Sequence, residues 1–235
     1  DHLMIHKFTP EGQRLLAFGS YGIQPGELLY PVALAVAPDD TLYVLDAEAH
    51  TVQRFAPDGS YLMGCGSRGS AKGQLNEPRQ LTVGPDGDVY VLDYGNRRVQ
   101  RFGPDGEYRT RWAFKMSAED DSLRVLDGLT VDRHGNVYIG NAHASKVRKL
   151  SPDGKVAGSC PLPVMHTDIT GETSTDALLD LGVDDLEYLY AVRRGGSTIQ
   201  KFDPSGRLAG SIDTYAPVSQ MLLDVRAPRQ QLTNA

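Results

Sequence analysis

The sequence predicts an all-β chain made of four-stranded antiparallel units. Three observations predict it: one stretch, Gly66 to Trp112, reads as a loop and four short strands; its tight turn recurs along the chain; and its second and third strands recur with the turn. In that stretch a first run, Gln80 to Val83, ends in Gly84-Pro85-Asp86-Gly87. A second, Val89 to Leu92, is closed by Asp93; a third, Arg98 to Phe102, ends in Gly103-Pro104-Asp105-Gly106; the last is Tyr108 to Trp112. In each turn Pro fixes φ at the first corner, Asp bonds back to its own backbone, and Gly takes the position with φ > 0. Short strands joined this way form an up-and-down antiparallel sheet.

The turn after the third strand recurs as Pro10-Glu11-Gly12, Pro57-Asp58-Gly59, Pro104-Asp105-Gly106, Pro152-Asp153-Gly154 and Pro204-Ser205-Gly206, at intervals of 47, 47, 48 and 52 residues. Before each stands a β-branched residue, two polar ones and a large apolar one: Ile5 to Phe8, Val52 to Phe55, Val99 to Phe102, Val147 to Leu150 and Ile199 to Phe202. The second strand repeats as Leu42-Tyr43-Val44, Val89-Tyr90-Val91, Val137-Tyr138-Ile139 and Leu189-Tyr190-Ala191. A period in the forties with four strands per unit predicts a β-propeller. One such unit cannot bury both faces alone, whereas units stacked radially cover each other.

The loop Gly19-Ser20-x-Gly22-x-x-x-Gly26-Glu27-Leu28-x-x-Pro31 is copied as Gly66-Ser67-x-Gly69-x-x-x-Gly73-Gln74-Leu75-x-x-Pro78. Followed by Val89-Tyr90-Val91-Leu92-Asp93 and Gly95-Asn96-Arg97-Arg98-Val99, it resembles the NHL repeat. The likeness is close in the second and third units, moderate in the fourth and weak in the fifth, where Arg193 replaces the Asp of the second strand. The resemblance implies a propeller, usually of six blades. It implies no single activity, because the family includes enzymes, RNA binders, receptor ectodomains and scaffolds.

About five repeat units are visible, which leaves three arrangements: a five-blade ring, part of a six-bladed ring, or an open arc completed by a partner. The expected propeller spans residues 1–225, with blades at 27–65, 74–112, 125–160 and 178–213. Residues 1–19 and 218–225 are read as parts of one closing blade, and 226–235 as a tail or linker. Asp1 falls inside a repeat unit, so the chain reads as a piece of something longer.

Composition narrows the function classes. The chain carries 24 Lys+Arg against 30 Asp+Glu, a net charge of −6, without the basic excess that marks a nucleic-acid-binding face, so nucleic acid is disfavoured as a partner. No apolar run approaches the roughly 18 residues of a membrane span. Cys65 and Cys160 hold equivalent positions two units apart, too far for a disulfide, and read as buried free thiols.

In a propeller the first strand lines the central channel, and the loops joining fourth to first and second to third strands share one face. That face would hold Ser20–Tyr30, Ser67–Glu77, Ala113–Val125 and Pro161–Ala177, with Asp46–His50, Asp93–Arg97, Asn141–Ser145 and Arg193–Ser197. The opposite face holds only tight turns, so function is expected on the long loops.

No pair of the six histidines has metalloprotease or finger spacing. In the amidating-lyase branch of NHL-like propellers, metal-binding His residues begin several first strands; here those positions read Val32, Arg79, Asp127 and Leu179. Asp127-Gly128-Leu129 with Gly140-Asn141 faintly resembles the cation site of lactonase-type propellers, which makes Asp127 and Asn141 the alternative metal ligands. His166 and Asp168 near Ser159, Thr167 and Thr173 have the composition of a triad but no pattern that selects them. Asp46 and Asp93 recur once per unit, which points to a structural role capping the turn, and Arg97 or Arg98 is expected to pair with a neighbouring carboxylate. Trp112, at the end of an outer strand, is expected to pack between blades.

The expected function is a non-catalytic scaffold that holds a protein partner, or sits in an assembly, through its top-face loops. Candidate binding residues are Tyr30, Glu48, His50, Arg79, Tyr94, Arg97, Asp127, Arg193 and Arg194, with Tyr21 as a further exposed aromatic. No cofactor is expected. Two alternatives remain: a metal-dependent enzyme at the channel mouth, either a lactonase-like hydrolase or a lyase, and an RNA-binding NHL domain.

Overall fold

A computed structural model of the chain describes residues 4–114, 128–141, 146–162, 178–193 and 198–213, and for Asn141, Leu178, Leu179 and Arg193 the backbone alone. The described residues are strands and turns, with one short 3-10 turn at Tyr94–Asn96. The fold class is the expected one, a β-propeller of four-stranded antiparallel blades. The expected closing strand at 218–225 and the tail at 226–235 lie outside the described residues.

The chain divides into two compact units, Asp1–Ala118 and Glu119–Ala235. The first opens with a hairpin of β1 (Ile5–Phe8) and β2 (Arg14–Phe18). One blade follows from β3 (Pro31–Val36), β4 (Leu42–Asp46), β5 (Thr51–Phe55) and β6 (Tyr61–Cys65). The next blade is β7 (Pro78–Val83), β8 (Val89–Asp93), β9 (Arg98–Phe102) and β10 (Tyr108–Ala113). The second unit holds a blade of β11 (Gly128–Val131), β12 (Val137–Asn141), β13 (Lys146–Leu150) and β14 (Val156–Pro161). It also holds β15 (Leu178–Val183), β16 (Leu189–Arg193), β17 (Thr198–Phe202) and β18 (Leu208–Asp213).

Each blade is a meander because its turns allow nothing longer. The Pro-Asp-Gly turns place Gly59 and Gly106 at φ +85° and +79°, which L side chains rarely adopt. Close packing excludes a side chain there too: a Cβ on Gly59 would lie 2.8 Å from the Phe18 ring, and one on Gly106 2.3 Å from the end of Met63. In the two blades of the first unit the turn is thus pressed onto the outer strand of the preceding element.

Alternation along the strands divides each sheet between two neighbours. In the first unit Tyr43, Leu45 and Val52 face the second blade and meet Leu81, Val83, Val89, Val91 and Phe102. Val44 and Phe55 point the other way, towards Ile5 and Phe18 of the hairpin. In the second unit Leu181, Leu189, Ala191 and Phe202 pack against Tyr138 and Val147. The second strands of the first unit, buried along nearly their whole length, therefore read as unbroken apolar runs, residues 42–45 and 89–92, rather than alternating ones.

Two sequence expectations meet the structure differently. Trp112 is buried, but it stacks on Tyr90 of its own sheet, with ring centroids 5.9 Å apart and planes 2° from parallel. Cys65 and Cys160 are both free thiols, as expected. Burial pushes Cys65 up to about 12. Burial, with the charge of Asp203 added, pushes Cys160 up to about 11.

Candidate functional site

The loops at one end of the first unit are built around two buried carboxylates. Asp46 and Asp93 are the last residues of the second strands β4 and β8. Both are 0 % exposed, and such a charge is tolerable only when hydrogen-bonded on all sides. Asp46 accepts from the backbone N–H of Leu29 (2.6 Å), Tyr30 (3.1 Å), Glu48 (3.1 Å) and Ala49 (2.9 Å). Asp93 accepts from the Asn76 N–H (2.7 Å) and the Asn96 amide, and from the side chains of Arg98 and Gln100. These carboxylates hold the loops. Their role is the structural one that recurrence predicts, and Arg98 is paired with Asp93.

A glutamine in each third strand completes the fastening. Gln53 accepts from Gly26 N–H (2.8 Å) and donates to the Glu27 carbonyl (2.6 Å). Gln100 does the same with Gly73 N–H (3.0 Å) and the Gln74 carbonyl (2.6 Å). Arg98 adds bonds to the carbonyls of Ser70, Ala71 and Gln74. The loops are also tied within themselves. Leu28 N–H donates to the Ser20 carbonyl and Leu75 N–H to that of Ser67, and both leucines are 0 % exposed. The result is a pair of loops whose backbones are each fastened at several points.

Of the nine candidate binding residues, the structure brings Arg79 and Tyr94 into direct contact. The Arg79 guanidinium lies over the Tyr94 ring, 3.3 Å from its centroid. The cause is a β-bulge. In the register of β7 with β8, Pro78 pairs with Asp93 and Gln80 with Leu92, so Arg79 is skipped. The same bulge skips Val32 between Pro31 and Ala33, and residue 179 between Leu178 and Asp180. Bulges re-aim a side chain out of the pleat, and these fall at the start of the first strand. Sequence reading placed Arg79 on the face but had no signal for the bulge.

Tyr30, Glu48 and His50 belong to the preceding blade. Tyr30 and Glu48 reach outward while their backbone N–H groups bond Asp46. His50 has φ +57°, and its Nδ1 is buried with no hydrogen-bond partner. Arg97, its counterpart in the next blade, has φ +51° and an exposed side chain. Asp127 and Arg194 lie outside the described residues, as do the side chains of Asn141 and Arg193, so the alternative metal pair is outside them as well. Among the described residues no cluster of three or more His, Cys, Asp or Glu has metal-holding geometry.

The most exposed apolar side chains of this region stand on the loop before β3: Tyr21 is 71 % exposed, Ile23 78 % and Tyr30 57 %. Ile23 was missed from sequence. A signal existed: the copied loop carries Ser70 where this one has Ile23, so an apolar residue stands at a position the repeat leaves polar.

The opposite end carries a second repeated group with a structural role. In every four-stranded blade a cation of the third strand lies near the tyrosine of the second: Arg54 with Tyr43, Arg101 with Tyr90, Lys149 with Tyr138 and Lys201 with Tyr190. Turn carboxylates complete it, as in the 3.0 Å bond from the Tyr190 hydroxyl to Asp184. A group repeated in each blade serves the blade.

Comparisons with known proteins agree with this geometry. Residues 28–55 and 75–102 match the NHL repeat. The chain therefore carries NHL repeats in a β-propeller fold. No curated protein matches the sequence. Among solved structures it is similar to virginiamycin B lyase from Staphylococcus aureus, at 14 % identity and TM-score 0.62, covering 90 % of this chain and 63 % of that one. A streptogramin B lyase gives 15 % identity and TM-score 0.60, covering 86 % and 60 %. The WD40 repeats of RRP9 give 16 % and 0.60, covering 81 % and 55 %. The chain thus spans about three fifths of the length of the first two. At these identities the likeness shows the fold alone.

Proposed function

We propose that this chain is a non-catalytic binding scaffold, and that the loop end of its first unit is the surface that receives a protein partner. The observation that carries this reading is the division of labour in those loops. The buried charged groups, Asp46, Asp93 and Arg98, are consumed in holding backbone. What is left outward is Tyr21, Ile23 and Tyr30 beside Glu48, with the stacked Arg79–Tyr94 pair on the next blade. Exposed aromatics held on a rigid frame, with mixed charges at their edge, suit a polar protein interface.

The test is comparative. The purified chain and its Tyr21→Ser/Ile23→Ser/Tyr30→Ser variant are immobilised and offered native extract, and bound proteins are quantified by mass spectrometry. A partner held by the parent and lost by the folded variant supports the reading; identical captures overturn it. The competing enzyme reading draws on the likeness to two lyases and needs a metal near Asp127 and Asn141. Elemental analysis after gel filtration in metal-free buffer separates the two, since a stoichiometric divalent metal supports the enzyme.

A further inference from the structure

The two long loops of the first unit are copies, and residues that fasten them are the same in both. Gly26 and Gly73, Leu28 and Leu75, and Gln53 and Gln100 hold equivalent places and make equivalent bonds. The outward positions differ in charge. Tyr21, Pro25, Val32 and His50 of the first copy are Arg68, Lys72, Arg79 and Arg97 in the second, and all four of these cations are exposed. In residues 66–79 and 93–97 the exposed acid is Glu77.

Backbone ties gather the four cations at one end of the blade β7–β10. The Arg79 guanidinium lies over the Tyr94 ring, and the Arg97 N–H donates to the Tyr94 carbonyl (2.9 Å). The Asn96 amide donates to the Gly69 carbonyl (2.8 Å), next to Arg68. Arg98 donates to the carbonyls of Ser70 and Ala71, beside Lys72. The first copy closes the same loop with none of the four, so closing the loop does not require them. They form a basic stripe. On the adjoining blade stand Tyr21, Ile23 and Tyr30 with exposed Glu48.

That neighbour decides the kind of ligand. A nucleic acid carries a phosphate at every step, and on the adjoining blade it would meet Glu48 and apolar side chains instead of cations. A polypeptide changes character from one residue to the next. We infer, on the reading of this face as a protein-binding surface, that the stripe of Arg68, Lys72, Arg79 and Arg97 seats an acidic segment of the partner, and that Tyr21, Ile23 and Tyr30 take apolar residues beside it.

Fluorescence anisotropy on the full chain tests this. The probes are a short labelled peptide with a run of Glu followed by Leu and Trp, its Lys-for-Glu counterpart, and single-stranded RNA of the same length. The chain should bind the Glu peptide over the Lys peptide, and more weakly as salt rises. Arg68→Glu/Lys72→Glu/Arg97→Glu, with an unchanged melting temperature, should lose about tenfold in affinity. Should it fail to fold, Arg68→Gln/Lys72→Gln takes its place and should lose several-fold. No preference for the Glu peptide, or equal affinity in parent and variant, overturns the inference. Tighter binding of the RNA than of the Glu peptide also overturns it and gives the stripe to nucleic acid. A captured partner lost by Tyr21→Ser/Ile23→Ser/Tyr30→Ser but kept by the charge variant overturns this inference alone. One kept by both variants removes the protein-binding reading of the face as well.

Discussion

Arg98 Nε lies 2.6 Å from Asp93 Oδ2, with the arginine side chain 3 % exposed and the aspartate 0 %. Two opposite charges so deeply placed hold each other only because the remaining donors of Arg98 meet three loop carbonyls. The pair therefore fastens the loop between β6 and β7 to the end of β8. In the preceding blade Thr51 stands where Arg98 does, and Asp46 is satisfied by backbone alone.

The contrast predicts an order of stabilities. Asp93→Ala leaves the Arg98 cation buried without its partner and is expected to cost about 3–5 kcal/mol. Asp46→Ala strands no buried cation and is expected to cost less, about 1–3 kcal/mol for the loop N–H groups it leaves without an acceptor. Urea unfolding of both variants checks this, and equal losses would show that the ion pair adds nothing.

The Arg79–Tyr94 stack is predicted to matter for binding and little for folding. At an exposed site such a contact contributes about 0.5–1 kcal/mol. Tyr94→Leu and Arg79→Ala should each leave the melting temperature within a few degrees of the parent while weakening partner retention in the capture experiment. A large loss of stability with unchanged retention would assign the stack to the fold.

Both thiols are predicted to be silent in the folded chain. With Cys65 near 12 and Cys160 near 11, little thiolate exists at pH 8. Labelling by a maleimide should be far slower than for a free thiol and should become complete in denaturant. Rapid reaction of either cysteine in the native protein would show that its burial is not maintained.

Asp132 supplies a pH prediction. Its burial raises the carboxyl, but bonds from the Asn136 side chain and from the N–H groups of Asn136 and His134, with the charge of Lys149 nearby, outweigh burial and hold it below the ordinary carboxylate value. A depressed folded value means that Asp132 stabilises fully above about pH 4, the unfolded value, and that this contribution is lost as pH falls through the folded value. Thermal stability measured between about pH 5 and pH 2 should therefore fall less steeply for Asp132→Asn than for the parent. Parallel acid limbs would remove Asp132 as a contributor.

The strands and turns were legible because their signals are local. A Pro-Asp-Gly turn needs only its own residues, and Asp46 and Asp93 were readable as structural because a residue required once in every unit serves the unit. The partner of Asp93 was legible only as one of two adjacent arginines, since neither residue type nor spacing says which side chain turns inward. The Arg79 bulge was not legible at all: a skipped residue is a property of how β7 pairs with β8, not of β7.

The sequence by itself determined the repeat, the blade type and the positions of the loops, because period, alternation and turn chemistry act over a few residues at a time. Only the tertiary structure decided that Arg98 is buried and Arg97 is not, that Arg79 stacks on Tyr94, and that Ile23 stands outward with Tyr21 and Tyr30. Each of these depends on strand register and on where a neighbouring segment leaves room, quantities fixed when the loops close onto Asp46 and Asp93.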